Sequence, residues 1–360
     1  MKMPKPNRPS LIGVDLGASH VRAVQFDGAG HPLRTLSLPR GEPREPYGAD
    51  ELREVAAIVR RRGFVGKRVV LGAPKSMTPS AMIELPPEDS GAPLTAIARG
   101  ELARARRIDP SSFELTWWSP RGAGPPARGR VIAVSCEHRA ATTVLDAWSD
   151  EGFDVLGLCP GPAAVARTHA IDSPEDTEPT IVVDLGWSSC EVIISHNDRV
   201  LFQRSVKGAG AASLHAACAE ACELDHTHTG WMLGAGREEA PEIASVVSGM
   251  LQAYGESASR AIQTTRVYAQ ECWRQSDFNL VHIAGGFASD SELLDWLQAH
   301  VGVICVPISV AGGLDASMAT AAGLARADWT RPERADTHRH GRHNGPSDVS
   351  SSVDEMEHAA

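Results

Sequence analysis

Two short segments of this chain carry the residue types that hold a polyphosphate and its metal ion. They are Asp15-Leu16-Gly17-Ala18-Ser19 and Asp184-Leu185-Gly186-Trp187-Ser188. A tight turn of small residues can aim backbone N–H groups at a phosphate, and glycine allows the close approach. The Asp leading each turn can hold Mg²⁺ through water, because that ion keeps most of its hydration shell. A single Asp-Leu-Gly would be no more than a hairpin turn. Two copies in matched surroundings point to two loops gripping one nucleotide across a cleft. A third segment, Val281-His282-Ile283-Ala284-Gly285-Gly286, delivers a glycine pair from a strand, as close approach to adenine or ribose requires.

The flanking sequence says what must hold these turns. An apolar run precedes each, Ile12-Gly13-Val14 and Ile181-Val182-Val183, and a β-rich run follows, Val21–Phe26 and Cys190–Ile194. Each copy therefore predicts a strand–turn–strand hairpin. An echo spaced by about half the chain indicates a duplicated domain, since short-repeat arrays have periods of ~20–50 residues. The expected architecture is α/β in two pseudo-symmetric halves, 1–175 and 176–327. Within the first half, 76–154 reads as a small inserted α+β subdomain without a counterpart in the second. A buried strand is expected at Arg68–Ala73, and Pro162 suits the first turn of a helix crossing between halves. The second half predicts a long helix over Pro241–Gln275, interrupted near Gly249 or Gly255, and a small-residue helix at Asp315–Arg326. Residues 328–360 hold few hydrophobes and predict a disordered tail.

Composition removes several classes. The 360 residues are 42% hydrophobic and 22% charged, enough to bury a sizeable core. Thirty-five Lys and Arg against 45 Asp and Glu leave a net charge of −10, which argues against a phosphate-backbone binder. No stretch approaches the ~18 continuous apolar residues of a membrane span. Seven cysteines without CxxC spacing suit a reducing cytoplasm. Neither GxxxxGK[ST] nor GxSxG occurs, which removes the usual P-loop and α/β-hydrolase signatures.

The two Asp-x-Gly loops and the later Gly-Gly, in this order, resemble the actin/Hsp70/sugar-kinase ATPase superfamily. The inserted subdomain, the Val155–Ala166 passage and Gly208-Ala209-Gly210 opening a helix make the chain similar to the PilM family within it, over roughly Leu11–Arg326. That family serves type IV pilus and type II secretion machines, some of them in competence. The resemblance implies an actin-like ATPase fold that binds ATP and Mg²⁺. It implies nucleotide contacts at Asp15, Gly17, Ala18, Ser19, Arg22, Asp184, Gly186, Ser188, Ser189, Gly208, Gly210, Gly285 and Gly286, with Asp15 and Asp184 as the metal-water ligands. It further implies a cytoplasmic scaffold, peripheral to the inner membrane, that binds the cytoplasmic N-terminal peptide of a PilN-like membrane protein. That tail would lie in a groove beside the inserted subdomain. Self-association is compatible with it, whereas nucleic-acid binding and a membrane span are not expected.

Departures from the superfamily pattern bear on catalysis. Arg22 stands where the first loop usually ends in Lys, and Cys190 where a Thr hydroxyl is common. Gly161 occupies the position from which many relatives orient the attacking water, so Asp184 is the one weak catalytic candidate. Asp225–Arg237 lacks the acid–Lys pair that holds ribose. Weak or absent hydrolysis is therefore expected, with an active ATPase or small-molecule kinase as the alternative. Cys218 and Cys222 read as a packing face, and His226, His228, His338, His340 and His343 as solvated residues. Arg104, Arg106 and Arg107 read as a solvated helix face, and one of Trp117 and Trp118 as a subdomain contact or partner surface.

Overall fold

The computed structural model describes residues 9–41, 43, 45–120, 129–274 and 276–328. The expected tail beyond residue 328 and most of the expected turn at Gly122–Gly129 lie outside the described residues.

β1 (Ile12–Leu16) and β2 (His20–Phe26) form the first hairpin, with Asp15 opposite Arg22. β3 (Pro32–Pro39) extends it antiparallel, and α1 (Ala49–Arg61) leads into β4 (Arg68–Ala73), parallel to β1. β5 (Ser80–Glu84), α2 (Leu94–Arg106), β6 (Phe113–Trp118) and β7 (Arg130–Glu137) follow, their strands forming a separate sheet ordered β5-β7-β6. α3 (His138–Asp150) then packs on α1, burying Val144, Ala147 and Trp148 in the first core with Leu52, Val55 and Val59. β8 (Asp154–Pro160) completes a five-stranded sheet of order β3-β2-β1-β4-β8, and α4 (Gly161–Asp172) leaves it.

The second sheet repeats that plan. β9 (Thr180–Leu185) and β10 (Cys190–His196) form the second hairpin, with Asp184 opposite Glu191, and β11 (Arg199–Val206) extends it. α5 (Ala211–Cys222), α6 (His226–Trp231), α7 (Arg237–Glu239) and α8 (Pro241–Cys272) come next. β12 (Leu280–Gly285), α9 (Ser291–Val301), β13 (Ile304–Pro307) and α10 (Ala319–Ala325) close the described chain. The order is β11-β10-β9-β12-β13, with β9–β10 antiparallel and β9–β12–β13 parallel, as in the first sheet. β1 and β9 read as apolar runs because helices cover both sheet faces. Their charged residues, Asp15 and Asp184, fall near the carboxyl ends, where ligands bind in parallel sheets.

The halves meet where α4 and α10 cross. A Cβ on Gly323 would lie 1.9 Å from the Ala164 carbonyl oxygen, so only glycine lets the helices approach this closely. Thr168 Oγ1 donates to the Ala319 carbonyl at 2.6 Å, and the Arg326 guanidinium grips Asp172 at 2.5 and 2.7 Å. The inserted sheet also reaches across: Trp118 Nε1 donates to the Val200 carbonyl on β11 at 2.7 Å.

One expectation fails. α8 runs unbroken through Gly249 and Gly255. Gly255 serves packing instead of a break, since a Cβ there would meet the Trp296 ring of α9 at 2.7 Å.

Candidate functional site

The carboxyl ends of β1, β4, β9 and β12 converge on one cleft of about 570 Å³. Asp15, Gly17, Ala18, Ser19 and Arg22 line it from the first hairpin, and Asp184, Gly186 and Ser188 from the second. Gly285 and Gly286 line it from the end of β12. Gly285 has φ +96°, a backbone that residues with a side chain rarely adopt, and its Cβ would strike the Leu185 carbonyl.

The first loop is held by its carbonyls. Tyr47 donates its hydroxyl to the Gly17 carbonyl at 2.6 Å, and Arg40 Nη1 donates to the Ala18 carbonyl at 2.7 Å. The Arg40 backbone N–H donates to the Ser19 carbonyl at 2.9 Å. With three carbonyls engaged, the N–H side of the loop is the side left to an anion. The second loop is braced likewise, the Ala211 and Ala212 N–H groups of α5 donating to the Gly186 and Trp187 carbonyls at 3.0 and 2.9 Å.

Three of the expected contacts lie off the cleft wall. Gly208, Gly210 and Ser189 are not among the residues lining the cleft. Gly210 lies behind the second loop, where a Cβ would come within 2.5 Å of the Trp187 oxygen. Ser189 is buried and donates its hydroxyl to Glu191 Oε1 at 2.9 Å. Ala211 and His215 of α5 line the cleft instead.

The sequence reading missed several wall residues, Lys75 foremost. It follows β4 in a 3₁₀ turn, and its Nζ stands 3.2 Å from Asp184 Oδ2 and 3.8 Å from Glu191 Oε1. A Cβ on Gly186 would lie 2.6 Å from that nitrogen. The signal was a lysine just past a buried parallel strand, where the sheet's ligands gather. Arg237 is a second missed cation, paired with Asp290 and, at 3.1 Å, with Glu292 of α9. Glu45 completes the set, accepting from the Ser188 hydroxyl at 3.3 Å and the Ser76 N–H at 3.1 Å.

Electrostatics suit a cation between the two aspartates and an anion beside them. Burial pushes the Asp15 carboxyl up to about 6; Arg22 opposes the rise, and Asp184 adds to it. A cation held by both carboxylates would relieve this. Arg22 Nε is buried with no hydrogen-bond partner, a donor a phosphate oxygen would satisfy. His20 is neutral, pushed down to about 4 by burial and then by Arg22. The donor set thus fits a nucleotide phosphate with Mg²⁺. Gly161 also lines the cleft, and a side chain added there would meet open space.

No family model matches the sequence, and no curated protein matches it. Solved structures do. In the PilM–PilN type IV pilus biogenesis complex, a chain 18% identical superposes with a TM-score of 0.68, covering 88% of this chain and 97% of that one. The ethanolamine utilization protein EutJ from Carboxydothermus hydrogenoformans is 17% identical, with a TM-score of 0.52 over 90% of this chain and 91% of its own. A ROK family glucokinase from Streptomyces griseus, solved with glucose and AMPPNP, is 14% identical, with a TM-score of 0.51 over 88% and 98%. No helix among the described residues is long and apolar enough to cross a membrane. Two matched sheets around one cleft, superposed along nearly the whole of these proteins, give the chain the actin-like ATPase fold.

Proposed function

We propose that the chain is a cytoplasmic, actin-like nucleotide-binding scaffold of a type IV pilus or type II secretion assembly platform. It would be held at the inner membrane by the cytoplasmic N-terminal tail of a PilN-type protein. The observation that carries this reading is the similarity to the PilM–PilN complex over 88% of this chain at a TM-score of 0.68. The cleft supports the nucleotide half of the reading. Arg22 and Lys75 face the phosphate position, Asp15 and Asp184 would hold Mg²⁺ through water, and Gly285-Gly286 would flank the nucleoside. Bound Mg²⁺ supplies charge neutralisation of the phosphates.

Slow turnover follows from Gly161. A positioned base contributes ~10²–10⁴-fold, and this wall of the cleft has no side chain to provide one. ATP would then act as a clamp that sets the angle between halves. The glucokinase likeness supports a second reading, a small-molecule kinase. That reading needs a carboxylate for the acceptor's proton; Lys75 holds Asp184, Arg237 holds Asp290 and Asp15 would hold Mg²⁺, which leaves Glu45 among the carboxylates lining the cleft.

Calorimetric titration of the full chain with the tail peptide, with and without ATP·Mg²⁺, tests the proposal. Peptide binding is expected, with ATP turnover far below the ~10 s⁻¹ of a median enzyme. Absence of peptide binding removes the scaffold reading, and turnover of several per second favours the enzyme.

A further inference from the structure

A second cluster lies away from the cleft, where the chain passes between halves. His169 sits in the last turn of α4, Asp176 in the connector that follows, and His282 on β12 between β9 and β13. Both imidazoles are buried, and the Asp176 side chain is 26% exposed. Each histidine turns Nε2 toward one oxygen, Asp176 Oδ2, at 3.1 Å from His169 and 3.3 Å from His282. The two rings meet edge to face, with centroids 4.4 Å apart.

Hydrogen bonding to Asp176 accounts for only part of this arrangement. His169 Nε2 and both His282 nitrogens are buried without a well-formed hydrogen bond, although the carboxylate is near. Leaving such atoms unsatisfied is costly, because each has given up its hydrogen bonds to water. An ion shared by the three groups satisfies them together. Ligands held about 2.0–2.1 Å from a tetrahedral zinc stand about 3.4 Å from one another, close to the contacts seen. One ligand atom from each residue lies within 4.8 Å of the others. Among the described residues this is the one such group of three or more His, Cys, Asp or Glu.

The donors suit a transition metal better than Mg²⁺ or Ca²⁺, which prefer all-oxygen shells. The connector is already shaped to present the carboxylate. The Asp176 N–H donates to the Ser173 carbonyl at 3.1 Å, and the Ser173 N–H donates to the His169 carbonyl at 2.8 Å. The exposed side of Asp176 leaves a fourth position to water.

We propose that His169, Asp176 and His282 bind one divalent transition-metal ion, zinc by its ligand chemistry, which staples the connector between the halves to β12. The site does not depend on the nucleotide reading.

The test uses the full chain without an affinity tag, dialysed against chelator and then titrated with Zn²⁺ against a competing dye. About one tightly held zinc per chain is expected. Asp176→Asn, on the connector, should weaken it at least ~10-fold, and His169→Ala with His282→Ala should abolish it. Replacing His338, His340 and His343 together by Ala should leave it unchanged, separating the site from histidines of the tail. Hydrogen exchange over 173–179 should slow when zinc is added. No zinc retained by the native chain, or affinity unchanged in Asp176→Asn, overturns the site. Because Asp176 is partly exposed, that variant keeps the test decisive should the double variant fail to fold. Unchanged exchange over the connector, with zinc bound, overturns the stapling role.

Discussion

The Lys75 ammonium, carried past the end of β4, lies 3.2 Å from the carboxylate of Asp184 at the end of β9. The pair joins the two halves directly across the floor of the cleft. Behind it, Glu191 is buried and takes part of its compensation from the same ammonium at 3.8 Å. Lys75→Ala therefore leaves two carboxylates short of a cation. We expect a loss of about 1–3 kcal/mol in denaturant melts, below the full value for breaking a buried pair because Lys75 is partly solvated. The double variant Lys75→Ala with Glu191→Gln should recover part of that loss. A double-mutant cycle with no coupling would show that the two residues do not act together.

Asp15 has the opposite balance in the protein without nucleotide or metal. Its carboxyl is raised to about 6, chiefly by burial. An acid raised on folding contributes stability that is complete below its unfolded value and lost as pH climbs through the folded one. In the presence of chelator, Asp15→Asn should thus be more stable than the native chain at pH 8, by about 1–3 kcal/mol. The advantage should shrink as pH falls through about 6 and vanish near 4. The same variant should lose ATP·Mg²⁺ affinity. Thermal melts across pH, paired with nucleotide titration, check both halves of the expectation.

Gly161 offers a gain-of-activity experiment. A side chain there meets open space on the cleft wall, so Gly161→Gln should fold normally. If the missing group limits hydrolysis, turnover should rise by about 10- to 100-fold, below the ~10²–10⁴-fold of a positioned base because a Gln amide orients water without taking its proton. Phosphate release measured at saturating ATP decides it, and no increase means that another step holds turnover down.

Gly323 is the most constrained position in the joint between halves. Gly323→Ala drives a Cβ to 1.9 Å from the Ala164 oxygen and 2.9 Å from Thr168 Oγ1, and backbone cannot yield as a flexible side chain would. A loss of about 3 kcal/mol is expected, together with the Thr168–Ala319 hydrogen bond. A melting temperature within a degree or two of native would contradict the packing described.

The repeated hairpins were legible because a strand–turn–strand unit is written in adjacent residues. Asp15, Asp184, Gly285 and Gly286 follow each other at strand ends and so meet at one end of the sheets. Lys75 and Arg237 belong to no motif: the position of Lys75 just past a buried strand was its one signal, and Arg237 reaches the cleft through tertiary placement alone. Gly210 shows a related ambiguity. A glycine admitting another backbone and a glycine admitting a ligand look alike in sequence, and at Gly210 the Trp187 oxygen 2.5 Å from a Cβ accounts for the residue by packing. Gly255 misled in the same manner, its vacancy being filled by Trp296 and not by a bend.

Where α4 and α10 cross, a carbonyl oxygen faces a bare Cα, with hydrogen bonds from Thr168 and Arg167 alongside. Helices that interlock through large side chains settle at a few preferred crossing angles, because ridges must leave one groove before entering the next. Small residues flatten those ridges. A joint of this kind has no ridges to fix its angle, so the polar ties beside it, Thr168 to Ala319 and Arg326 to Asp172, must do so. The setting of the two halves is then written in hydrogen bonds and charge, and not in the interlocking of large side chains.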